Sequence, residues 1–89
     1  MKHRATLKFW KFYAQLPKEI QKLADGNFDL LKRDPRHPSL HLKKVGRMWS
    51  ARVGIHYRAA AVEDGSDLVW FWIGHHSEYD QLTGRFQSK

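Results

Sequence analysis

Two adjacent histidines, His75 and His76, close the most apolar run of the chain, LVWFWIG, and Ser77, Glu78 and Tyr79 follow directly. An unperturbed imidazole titrates near pH ~6.5, so it can take or give a proton at neutral pH. Tyr79 can stack on a nucleobase or donate a hydrogen bond. Upstream, Arg52 and Arg58 offer guanidinium forks that hold a phosphate through paired hydrogen bonds. Cations, a proton carrier and a stacking ring are the groups that metal-free RNA cleavage requires. In that reaction the 2′-hydroxyl of the RNA attacks the adjacent phosphorus while a base removes its proton. An acid protonates the leaving 5′ oxygen, and cations offset the charge of the transition state.

A histidine pair also suggests a metal, but no third ligand stands at suitable spacing and neighbouring histidines seldom chelate one ion, so no metal and no cofactor is expected. On a continued strand His75 and His76 point to opposite faces, which leaves one of them for the site. His76 is the choice, because Tyr79 lies three residues further on. Trp70 and Trp72 share a face under the same alternation, and aromatics in a continuous apolar strand are expected in the core.

These residues must be held by a scaffold. Thr6 can cap a helix running to Leu16, with Leu7, Trp10, Tyr13 and Ala14 on one side. Pro17 separates it from a second helix, in which Ile20, Leu23, Ala24, Asn27, Phe28 and Leu31 keep helical phase as far as about Arg33. Gly26 falls on the polar face of that helix at a cost of ~1 kcal/mol relative to Ala. Asp34-Pro35 stops it. Met1–Ala5 carries a weak strand signal. Strands are then expected over Leu40–Val45, Trp49–Val53, Tyr57–Val62 and Leu68–Ile73. Gly46-Arg47 reads as a turn, Gly54-Ile55-His56 as a tight connection, and Glu63–Asp67 as a hairpin loop. Glu78–Lys89 reads as a last helical turn or coil. The fold class is α+β, with two N-terminal helices packed on an antiparallel three- to four-stranded sheet.

With Trp49, Ala51 and Val53 towards the helices, alternation leaves His41, Lys43, Ser50 and Arg52 on an open outer face, where Arg58 can join them. Net charge is +7, and the Lys32–Arg58 interval alone holds eight basic residues against the single acid Asp34. Such a block draws polyanions, nucleic acid foremost. His41, Lys43, Lys44 and Arg47 are the RNA-binding candidates. Lys43-Lys44 would also protect a sheet edge from aggregation.

Eighty-nine residues are expected to form one domain over residues 1–89. No stretch approaches the ~18 apolar residues of a membrane span, and the basic start lacks the apolar run of a signal peptide. The absence of cysteine suits a reducing cytoplasm, the expected location.

Two helices followed by HPSLHLKKVGRMWSARVGIHYRAAAV and VWFWIGHHSEYDQL resemble the RelE/ParE superfamily of bacterial toxins from type II toxin–antitoxin systems. The resemblance covers nearly the whole chain. Its most specific parts are L-K-x-V … W-S-x-R-V-G-x-x-Y-R and W-I-G-x-H-x-x-Y. It implies a small α+β domain, an acidic antitoxin partner, and one of two activities. Ribosome-dependent members cut mRNA without a metal, whereas ParE-like members inhibit DNA gyrase. An inactive homologue would have neither activity. By the same resemblance Arg52 and Arg58 hold the scissile phosphate, His76 serves as acid or base, and Tyr79 lies near the stacking position. Some RNA-cleaving members carry a basic residue where this chain has Ser50, and Lys43 or His41 would supply that cation here. The expected function is therefore mRNA cleavage on the ribosome, with gyrase inhibition as the alternative.

Overall fold

The computed structural model describes residues 2–87, with side chains as far as Gln81. A short strand β1 (His3–Ala5) leads into helix α1 (Leu7–Ala14) and helix α2 (Lys18–Arg33). Four strands follow, β2 (Lys43–Val45), β3 (Met48–Val53), β4 (Tyr57–Asp64) and β5 (Asp67–His75), and helix α3 (His76–Gln87) comes last. Among the described residues no helix is long and apolar enough to cross a membrane.

Local chemistry accounts for most boundaries. The Thr6 hydroxyl accepts the Phe9 amide at 3.0 Å and starts α1, as the capping signal implies. Lys32 and Arg33 close α2, where the helix dipole favours cations. Two tight hairpins set the sheet register. Val45 pairs with Met48 around Gly46 at φ +63, and Asp64 pairs with Asp67 around Gly65 at φ +64. Both turns need the left-handed region, which glycine enters without steric penalty.

The sheet has five strands in the order β1-β5-β4-β3-β2. Four are antiparallel neighbours as expected. The addition is β1, which joins the β5 edge in parallel, with His3 opposite Leu68 and Ala5 opposite Trp70. Arg4 fastens this edge through ion pairs to Asp64 and Asp67. Leu40–Val45 does not form one continuous strand. Pro38–Leu40 is a 3-10 turn that buries Leu40, and pairing begins only at Lys43.

Helices cover both faces of the sheet, not one. On one side Phe9, Phe12 and Tyr13 of α1 and Ile20, Ala24 and Leu31 of α2 pack over Ala51, Val53, Ala59 and Trp70. On the other side Tyr79 of α3 packs with Met48, Ala60 and Trp72. The second cluster exists because β5 carries a bulge. Ala61 pairs with Trp70 and Ala60 with Trp72, so the register steps over Phe71 as the extra residue of the bulge. Strict alternation would put Trp70 and Trp72 on the same face. The bulge instead sends Trp70 to the α1/α2 side and Trp72 to the α3 side. Both are core residues, as expected, but they belong to different clusters.

Candidate active site

Side chains directly opposite on paired strands project to the same face. Register therefore assembles the basic face: Lys43 lies opposite Ser50, Arg52 opposite Arg58, and Arg58 opposite Gly74. The expectation that Lys43, Ser50, Arg52 and Arg58 share a face holds. The expectation of an open surface does not, because Tyr79 roofs its middle and Ser50 is buried beneath. What remains accessible is the end of the sheet where the two half-buried arginines stand.

Two guanidinium groups placed directly opposite repel each other, and like charges at such a pair are destabilising. Among the described residues no ion pair relieves them, since the salt bridges there use Arg4, Lys32 and Lys44. Arg58 donates from Nη1 to the Tyr57 carbonyl at 3.0 Å. The buried Nε of Arg52 has no hydrogen-bond partner. An unpaired buried donor costs ~1–3 kcal/mol.

Gly74 shapes the floor beside the arginines. A Cβ there would stand 2.7 Å from Cζ2 of Trp72 and 3.0 Å from Oε1 of Glu78. The indole and the carboxylate thus both lie over Gly74, and Glu78 places an acid on the arginine side of the sheet. Its proximity arises from the strand-to-helix turn after His75, which brings the first turn of α3 back over Gly74. Residue spacing alone gives no reason to single it out.

The histidines differ from expectation. The strand ends at His75 and α3 begins at His76, so alternation stops and the two rings do not point apart. They stack at 4.5 Å between centroids. His75 caps α3: its Nδ1 accepts the Ser77 amide at 3.2 Å and lies 3.0 Å from the Ser77 hydroxyl. The backbone amide of His76 donates to the His56 carbonyl at 2.7 Å, which ties the start of α3 to the β3–β4 connection. His56 therefore joins the pair, with its ring centroid 6.0 Å from each of the other two. This is the third imidazole that spacing alone failed to supply. Opposite Tyr57 stands His75, and stepping one position along both strands already brings His56 towards His76.

The remaining candidates separate. Tyr79 is only 9% exposed, with its ring 6.2 Å from that of Trp72, so it is a core residue and not an open stacking platform. Lys44 lies opposite Trp49, on the other face from Arg52, and pairs with Glu63 at 3.5 Å. The Trp49 indole N–H, donating at 2.6 Å, and then Lys44 hold the Glu63 carboxyl below its ordinary range. His41 is exposed in the left-handed region at φ 46 and ends the 3-10 turn. Arg47 is exposed in the β2–β3 turn. Of the four RNA-binding candidates, register places Lys43 on the face of Arg52.

A concavity of about 200 Å³ opens between α1, α2 and their side of the sheet, with Phe9, Trp10, Tyr13, Phe28 and Trp70 in its wall. Its exposed lining is largely apolar, although Arg4, Asp25 and Arg52 also border it.

No protein-family model matches the sequence, and comparison with curated proteins finds no relative. Solved structures do match. A YoeB/ParE toxin from Agrobacterium tumefaciens superposes with TM-score 0.66 at 20% identity, over 85% of this chain and 99% of that one. A chain of the RelB–RelE antitoxin–toxin complex from Methanococcus jannaschii gives 0.69 at 20% identity, over 88% and 96%. A chain of the RelBE2 toxin–antitoxin complex from Mycobacterium tuberculosis gives 0.60 at 24%, over 83% and 95%. Since the superposition takes in nearly the full length of each of these neighbours, the chain has the RelE/ParE toxin fold.

Proposed function

We propose that this chain is the toxin of a type II toxin–antitoxin pair, and that it is a ribosome-dependent, metal-independent endoribonuclease that cuts mRNA and halts translation. The observation that carries the reading is the Arg52–Arg58 pair, two like charges set directly opposite each other with no carboxylate partner among the described ion pairs. A phosphodiester accepting from both guanidinium groups removes their repulsion. Lys43 stands across from Ser50 and supplies the cation that some RNA-cleaving members carry at the Ser50 position.

In this mechanism the guanidinium groups hold the scissile phosphate and offset the charge that builds on its oxygens. The 2′-hydroxyl attacks phosphorus and loses its proton to a base, and the 5′ oxygen leaves with a proton from an acid. His76 serves as one of these two proton carriers, held by the hydrogen bond from its backbone amide to the His56 carbonyl. Glu78, over Gly74, is the carboxylate available for the other. The partner is an acidic antitoxin, matched to the +7 charge of the chain.

A second reading, a gyrase-inhibiting module without chemistry of its own, draws on the burial of Tyr79, which removes an open stacking ring from the outer face. One set of experiments separates the two. Induced expression without antitoxin should arrest growth, and primer extension should show mRNA cut at codon boundaries. Arg52→Ala and His76→Ala should abolish cleavage while leaving antitoxin binding intact. Intact mRNA during full growth arrest refutes the nuclease. Loss of supercoiling by purified gyrase, indifferent to His76→Ala, establishes the second reading, and normal growth marks an inactive homologue.

A further inference from the structure

The three imidazoles of His56, His75 and His76 form a cluster that neither the arginine site nor α3 capping accounts for. One ring nitrogen of each can be chosen so that all three lie within 4.8 Å of one another. Three different roles in the chain bring them there: the tight connection carries His56, the last position of β5 carries His75, and the first of α3 carries His76. The backbone beneath is fixed by the hydrogen bond from the His76 amide to the His56 carbonyl at 2.7 Å and the pairing of Tyr57 with His75. No acid belongs to the group.

We infer that His56, His75 and His76 make a binding site for one borderline divalent transition-metal ion, of the class of Zn²⁺, Ni²⁺ and Cu²⁺. Imidazole suits this class, whereas Mg²⁺ and Ca²⁺ require oxygen ligands. Three imidazoles with a fourth position left to solvent is an established zinc arrangement. Nitrogens bonded to one zinc at ~2.0–2.1 Å stand roughly 3.3 Å apart in tetrahedral geometry, so the cluster must close by about 1.5 Å. Side-chain rotation supplies that movement, since His56 is exposed and His75 and His76 are half-buried. The rings are now stacked, and ligation turns their edges inward.

Ser77 fits either state of His75. Without metal its amide donates to Nδ1, and with metal on Nε2 the protonated Nδ1 donates to the Ser77 hydroxyl, already 3.0 Å away. A ligating histidine ordinarily has such an outer partner, which fixes its tautomer. The site stands on this geometry and not on the proposed nuclease activity. If both hold, an ion here occupies the imidazole of His76 and silences cleavage.

The test uses the untagged full chain, titrated with Zn²⁺ by calorimetry and by ring nitrogen shifts in histidine-labelled protein. One ion per chain is expected, with the rings of His56, His75 and His76 shifting and those of His3, His37 and His41 unmoved. His56→Ala, at an exposed position and checked for folding by circular dichroism, should weaken binding at least about tenfold. His41→Ala should leave binding unchanged. Absence of saturable binding, shifts spread over all six histidines, or wild-type affinity in His56→Ala overturns the site. None of these readouts depends on RNA cleavage.

Discussion

Replacing Gly74 by alanine tests the geometry beneath the arginines. The added methyl would stand 2.7 Å from Cζ2 and 3.2 Å from Cη2 of Trp72, and 3.0 Å from the Glu78 carboxylate. Glu78 is exposed and can swing away, but Trp72 is 7% exposed and locked between Met48, Ala60 and Tyr79. The indole must move as a rigid body against a packed cluster. Overpacking of this kind costs about 1–3 kcal/mol. For a domain of this size each kcal/mol lowers the melting temperature by about 4–8 °C, so Gly74→Ala should lose roughly 5–20 °C. Thermal unfolding followed by circular dichroism reads this directly. A second variant isolates the cause. Trp72→Phe removes the two carbon atoms that make the closest contacts, so Gly74→Ala should cost at least ~1 kcal/mol less in that background than in the wild type. A drop below about 2 °C in the wild-type background, or simple additivity of the two changes, would refute the reasoning.

Gly26 is exposed in α2, and a methyl group there meets nothing within 4 Å, so Gly26→Ala should stabilise the chain by ~1 kcal/mol in urea unfolding. His3 accepts the Trp70 indole N–H at 3.1 Å, and burial, then the charged N-terminus and Lys32, hold its pKa below the ordinary value. As pH falls through ~6.5 the unfolded chain takes up the proton first, so the contribution of His3 is complete above that pH and is lost below it. Urea unfolding at pH 7.5 and 5.5 should show a smaller loss for His3→Gln than for the wild type, and equal losses would contradict this assignment. Arg52→Met should match or exceed wild-type stability, because it removes both the like-charge repulsion and the unpaired Nε, while growth inhibition on induction disappears. Destabilisation by more than ~1 kcal/mol would mean that the guanidinium has structural work that the geometry does not reveal.

Where the pattern was periodic, the sequence could be read. The Thr6 cap, the phase of α2 and both glycine turns lie where local chemistry puts them, and Trp49, Ala51 and Val53 do face the helices. The β5 strand was different. LVWFWIG is apolar on both faces, so nothing in its pattern marks Phe71 as the extra residue, and strict alternation put Trp72 on the wrong side. The strand-like start of β1 is only three residues long, and its parallel pairing with β5 joins segments separated by two helices and three strands, which local signals do not encode. At the site, Arg52 and Arg58 were legible because register follows from the intervening turn. His56 and Glu78 were not, since each is brought in by the far end of β5, where strand becomes helix.

The bulge at Phe71 leaves the chain one residue longer than the sheet requires. Pairs on both sides of it, Ala61 with Trp70 and Ala60 with Trp72, survive if that residue is removed and the ladder closes up. Excision of Val69 or Ile73 closes the same bulge only by sending Trp70 or Trp72, respectively, to the opposite face of the sheet. Tolerance to single-residue deletion within β5 should therefore peak at one position, which makes strand length, not residue type, the variable with slack at that point.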